Sequence, residues 1–348
     1  MAAEAPPRNA DAHEPFLGLA AEDEQFAKTL VAKGLLTAIT QPLNVSRTLI
    51  QLGYEPFPLS TGKTMIIAGR DAYFLPNVFS YARQLAQTRG LAVLWTGLDS
   101  NVASLFVAAV AAHQTEKYIN EYYPNIGGAP ENLDKKEEDL ADDQSFRRVL
   151  RQTMRDSVVR VAAIAASRPF TVVLVRQVAQ IIGHETKYST TFSALNLVGI
   201  QEGPGGLFSG IVPQIVGELT VLWGVAFVTY GVQRILFKTE IGDVKQKDEN
   251  AAKAASEVHK FVRNAVPFVF NSFGYPYGVV STIMAVAGSG LAVSFLPYSP
   301  AFTSWHNAWD YLYPWGLKRG SRLFLREQVG AVTVGADQQL YAQNKHFA

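Results

Sequence analysis

Three times along this chain a proline stands inside an apolar stretch, and each time a glycine-aromatic element comes after it downstream. The first copy runs from Gln41-Pro42 to Arg89-Gly90 and Trp95-Thr96-Gly97. The second runs from Arg168-Pro169 to Glu202-Gly203 and Phe208-Ser209-Gly210, and the third from Tyr275-Pro276 to Arg319-Gly320 and Phe324. Self-similarity at a spacing of roughly a hundred residues marks a repeated supersecondary unit. In the first two copies an apolar segment succeeds the last glycine. After Gly320 the remaining chain carries Arg326, Glu327, Asp337 and Lys345, too polar for another span of about 20 apolar residues. The pattern predicts an all-α membrane protein, a three-repeat bundle one helix short of closure and therefore open on one side.

Charge segregation supports the membrane reading. Of the residues 48% are hydrophobic and only 18% charged, and the charges gather in the loops 124–148 and 238–260. Five spans are expected, near 26–51, 98–119, 157–182, 210–237 and 262–288. The chain then divides into an acidic extension (1–25), a first repeat (26–123), a charged loop (124–148), a second repeat (149–237), a charged loop (238–260), an incomplete third repeat (261–328) and a tail (329–348). Between paired spans, 64–88, 188–201 and 303–317 read as short helices. The aromatic residues of the first and third suit the membrane interface, with an ordinary surface helix as the alternative.

A net charge of +1 provides no basic field for nucleic acid. Cysteine is absent, which excludes disulfides and thiolate metal sites. The six histidines show no metal-ligand spacing, and neither a phosphate loop nor a nucleophile elbow occurs. Nothing points to a cofactor, a metal or catalysis, so the expectation is a protein that is not an enzyme. The N-terminal stretch carries Glu4, Asp11, Glu14, Glu22, Asp23 and Glu24 against Arg8, unlike an Arg-rich transit peptide.

Polar residues inside the spans are ordered. Lys33, Thr37, Thr40, Asn44, Arg47 and Gln51 recur at steps of four and three and share one helix face. A basic group at a span centre costs roughly 2.5–3.5 kcal/mol, so such a face turns to a wet cavity, or else the helix lies flat on the surface. Asn264 and Asn271 share a face of the fifth span beside Arg263, and Asn101, Ser104 and Thr115 one of the second. Gln214 and Glu218 lie one turn apart in the fourth, where Glu218 either faces the cavity or pairs with Arg160, Arg168 or Arg176. Gly210, Gly217, Gly224 and Gly231 recur every seven residues and read as a ridge for close helix packing.

The threefold pattern resembles the mitochondrial carrier superfamily, whose signature is Pro-x-acid-x-x-base. Only the first copy approaches it, with Asn44 in the acidic place and Arg47 in the basic one; the others have Thr171 and Leu174, and Gly278 and Ser281. The chain is more similar to the divergent branch called mitochondrial carrier homologues, through Gln51-Leu52-Gly53-Tyr54-Glu55-Pro56-Phe57-Pro58, Leu75-Pro76 with Phe79-Ser80-Tyr81-Ala82, Gly206–Pro213, and Tyr298–Trp305. That resemblance implies a multi-pass protein of the mitochondrial outer membrane that lacks the sixth carrier helix. It also implies a hydrophilic groove, open sideways to lipid, that inserts tail-anchored and other α-helical proteins. Arg47 matches the family's basic groove residue and Glu218 its acidic one, while Asn101 and Gln214 stand where relatives carry arginine. Family members are further linked to lipid scrambling and to binding a pro-apoptotic truncated protein. Transport by the carrier cycle, or a docking role for apoptotic or metabolic regulators, are the alternatives.

Overall fold

The computed structural model describes residues 21–64, 69–128, 140–238, 249–295, 302–314 and 316–342. Most of the acidic extension and parts of both charged loops therefore lie outside the described residues. Helices dominate: α1 (Ala21–Gln51), α2 (Val78–Arg89), α3 (Leu98–Tyr122), α4 (Asp142–Gly183), α5 (Thr191–Leu207), α6 (Ile211–Lys238), α7 (Glu249–Val286) and α8 (Trp305–Leu312). The five long ones, α1, α3, α4, α6 and α7, fall on the five expected spans. By length and composition, 91–122, 142–183 and 211–235 can each cross a membrane. The protein is an all-α membrane protein.

Two boundaries differ from expectation. Asp142–Arg148 and Glu249–Lys260, read as loop from their charge, begin α4 and α7. Asp142 and Asp143 suit a helix N-terminus electrostatically, and Arg234 of α6 meets the Asp142 carboxylate at 2.6 Å. In α7, Lys260 pairs with Glu257 one turn away at 2.8 Å. Dense mixed charge here marks helix starts and not only loop.

The prolines reveal why the repeat exists. In each copy the side chain just before the proline donates to the carbonyl just before the last glycine. Gln41 Nε2 reaches Thr96 O at 2.9 Å, Arg168 Nε reaches Ser209 O at 2.9 Å, and Tyr275 Oη reaches Arg319 O at 2.5 Å. Three different side chains thus make one bond, fastening each proline helix to the turn after its short helix. Those turns share a left-handed backbone, with φ of 74° at Gly97, 70° at Gly210 and 70° at Gly320, which glycine adopts without steric cost. Each glycine also abuts the proline helix of the next repeat. A Cβ on Gly97 would stand 2.8 Å from Leu174 of α4, one on Gly210 2.6 Å from Ser281 O of α7, and one on Gly320 3.1 Å from Ile50 of α1. The contacts run round the ring and close it at this end. Pro42 cannot bond Ala38 O, and the Trp95 indole donates to that carbonyl at 3.2 Å.

The core sits at the same end. It comprises Val45 and Leu49 of α1, Val172 and Val178 of α4, Val279 and Ile283 of α7, and the inward faces of α2, α5 and α8.

Beyond Gly320 no sixth long helix occurs among the described residues. The chain turns aside: Val78 N–H donates to Leu323 O at 3.0 Å. Arg326–Glu327 (β3) then joins a sheet of order β1-β2-β3, antiparallel to Asp71–Leu75 (β2), which pairs with Ser60–Lys63 (β1). A second pair, Val332–Val334 (β4) and Leu340–Ala342 (β5), occupies the expected tail. Stretch 64–88 is accordingly strand at 71–75, and its helix starts only after Asn77, whose side chain accepts from Ser80 N at 2.7 Å. Buried Arg326 holds the arrangement, donating to Pro76 O at 2.8 Å and ion-pairing with Glu55. Burial pushes the Glu55 carboxyl up to about 7, against the pull of Arg326 and Arg319.

Candidate functional site

The polar stripe of α1 has two environments. At its lower end Gln51 accepts from Thr282 Oγ1 at 3.2 Å and donates to Tyr275 Oη at 3.1 Å, both on α7. The Arg47 guanidinium lies over the Tyr275 ring, 4.9 Å from its centroid. Higher on α1, Asn44 and Lys33 are exposed and Thr37 half-buried. Val31, Leu35 and Ile39 point the opposite way and are 64%, 64% and 75% exposed. This half of the helix thus has an uncovered polar face backed by an uncovered apolar one. The second suits lipid and the first suits water.

On α7 the face that carries Tyr275 and Thr282 continues upward through Asn271, Phe268 and Asn264 at helical spacing, all three exposed. The side chain of Arg263 lies outside the described residues. The polar stripe of α1 and this mixed polar and aromatic face of α7 therefore meet at Gln51, and both are exposed above it. Five of the positions read from sequence (Lys33, Thr37, Asn44, Arg47, Gln51) share this face of α1, and Asn264 and Asn271 share that face of α7.

The remaining predicted positions sit elsewhere. Asn101 does not open on this groove: its amide donates to Gln41 Oε1 at 2.7 Å, so it ties α3 to α1. Gln214 accepts from Arg168 at 2.5 Å between α6 and α4. Both polar groups are engaged in satisfying partners inside the bundle. Glu218 faces Arg160 across α6 and α4 at 3.9 Å with both side chains about half exposed, while Arg168 and Arg176 hold other partners. The glycine ridge is real over part of its length. A Cβ on Gly217 would stand 2.8 Å from Tyr277 and one on Gly224 would overlap the Phe270 ring, so both admit α7 closely, but nothing lies within 4 Å at Gly231. Gly231 thus shows no close contact of this kind among the described residues.

The pre-proline residues do not stand out in the sequence as a functional set. Their types differ, so no shared chemistry signals the shared bond; only their position before each proline does. Arg176 likewise reads from sequence only as a candidate partner for Glu218. It is buried, bonded to both carboxylate oxygens of Glu202 and to Ala285 O, and it joins α4, α5 and α7.

A carrier-type gate needs acids and bases at the third and sixth places of each signature. Here Thr171 bonds the Ser104 hydroxyl at 2.9 Å, Ser281 donates to Gly210 O at 2.9 Å, and Gly278 is exposed with open space at its Cβ. Leu174 packs at Gly97. Among the described residues these six positions form no ion pair. No protein-family model matches the chain. Curated relatives do: the chain is 31% identical over 302 residues to mitochondrial carrier homolog 2 of both mouse and human, covering 86% of itself and 93% of each. The chain is a mitochondrial carrier homologue. It is also 28% identical over 298 residues to mouse mitochondrial carrier homolog 1, covering 84% of itself and 74% of that protein. With its apolar helices, the homologue is a mitochondrial membrane protein.

Proposed function

We propose that this homologue is a multi-pass protein of the mitochondrial outer membrane that inserts α-helical membrane proteins, tail-anchored ones among them. The uncovered polar faces of α1 and α7, joined at Gln51 and unfilled above it, support the reading. A substrate helix must carry a short polar tail through hydrocarbon, where each unpaired polar group is expensive. In a wet trough that tail stays hydrated while the apolar helix moves sideways into lipid. The exposed Lys33 and Arg47 offer it charge partners. Lipid headgroups suit the same trough, as does the helix of a pro-apoptotic protein. Transport by a carrier cycle is disfavoured by the neutral contacts at the signature positions.

Purified protein in liposomes, given a tail-anchored substrate, is expected to raise the protease-protected fraction above that of empty liposomes. Arg47→Glu and Lys33→Glu should change that fraction while leaving the melting temperature near the parent's. Equal protection in empty liposomes would sink the insertase reading. Normal insertion by both folded variants would remove the groove assignment.

A further inference from the structure

Gly97 and Gly210 stand immediately before α3 and α6, two helices long and apolar enough to cross a membrane. Gly320 has the same φ and the same bond to its preceding carbonyl, so it is their equivalent in the third copy. The segment just past Gly320 therefore stands where the first two copies begin a membrane-length helix, although it forms none. The residues there are Ser321-Arg322-Leu323-Phe324-Leu325. Leu323, Phe324 and Leu325 are 40%, 68% and 66% exposed, and exposed Lys318 and Arg322 flank them.

This is not a loose loop. One end is fixed by Tyr275 on Arg319 O, the middle by Val78 N on Leu323 O, and the other end by Arg326 against Glu55 and Pro76. Three successive apolar side chains are thus held in the open on a braced backbone. Braced exposure of large apolar groups is costly in water and favourable in an acyl-chain boundary. The aromatic ring of Phe79, itself 51% exposed, lies 6.0 Å from that of Phe324 and extends the apolar surface to α2.

We propose that Leu323–Leu325 is a lipid anchor that replaces the missing helix, its three apolar side chains in the membrane interface and its flanking Lys318 and Arg322 on anionic phospholipid headgroups. The occupant is a lipid surface, because the equivalent places in the first two copies open onto membrane-length apolar helices and two basic residues flank the exposed apolar run. This inference stands independently of the insertase reading.

Because the chain has no cysteine, Phe324→Cys carries a single environment-sensitive fluorophore in the full-length protein, reconstituted in vesicles. Asp143→Cys, at the charged start of α4, is the water reference. At 324 the expected result is blue-shifted emission, quenching by lipids spin-labelled near the headgroup, and protection from aqueous iodide. The shift should be larger in anionic than in zwitterionic vesicles, and Lys318→Glu with Arg322→Glu should abolish that difference. Iodide quenching equal to that at 143 would overturn the proposal in favour of a solvated loop. Protection from both quenchers would overturn it in favour of a protein-covered surface. An unchanged melting temperature in each labelled variant shows that the loop, and not the fold, is being read.

Discussion

Arg168 is the strut whose removal is most informative. Its side chain is 2% exposed as a residue, and it serves three acceptors: Ser209 O through Nε and Nη2, Ser281 O at 3.2 Å, and Gln214 Oε1 at 2.5 Å. Arg168→Met keeps the bulk and removes every donor. The Gln214 amide can reorient toward other partners, but the two carbonyls are fixed by their turns. Orphaning a buried acceptor costs about 1–3 kcal/mol, and relief from burying a cation offsets part of the total. A net loss of about 3 kcal/mol remains. In detergent the thermal midpoint should fall by roughly 6 °C, at about 2 °C per kcal/mol. Tyr275→Phe removes a single hydroxyl and should cost about 1 kcal/mol. If Arg168→Met melts within about 1 °C of the parent, the pre-proline bonds do not hold the repeats together, and the threefold account fails.

Two further outcomes rest on the same geometry. Glu55 has a folded pKa of about 7 against 4.5 when free. Its neutral form is therefore favoured in the fold, and stability should be highest below about pH 4.5, decline as the pH rises to 7, and level off above. Melting scans of Glu55→Gln should lack that decline; an identical pH profile in parent and variant would assign it to other groups. Gly224→Leu should loosen the α6–α7 pair and lower the melting temperature, because even a Cβ there would overlap the Phe270 ring. Gly231→Ala meets open space and should gain up to about 1 kcal/mol in helix propensity, so a destabilised Gly231→Ala would count against the packing described.

The long helices were legible because each combines an apolar run with a proline or glycine marker at matching spacing. The polar face of α1 was legible because Lys33 to Gln51 obey the helical period. Polarity alone could not separate Asn101 and Gln214 from them: an amide inside a span looks the same whether it faces water or a neighbouring side chain. The strands were hidden for another reason. Ser60–Lys63 is polar and contains glycine, and Arg326–Glu327 is two charged residues, so neither carries an alternating apolar pattern. They exist because buried Glu55 and Arg326 draw distant segments together, and Tyr54-Glu55-Pro56 showed in the sequence only as a family resemblance.

The bonds from Gln51 to Tyr275 and Thr282 give α1 a fulcrum. At 1.5 Å per residue Arg47 lies ~6 Å from that point along the helix axis and Lys33 ~27 Å. Any tilt of α1 about its pinned foot is therefore magnified more than fourfold between those two cations. Slack of a few tenths of an ångström under the Tyr275 ring becomes a displacement of over an ångström at Lys33. The ties of Gln41 to Thr96 and of Ala38 to Trp95 then set how far that lever can swing.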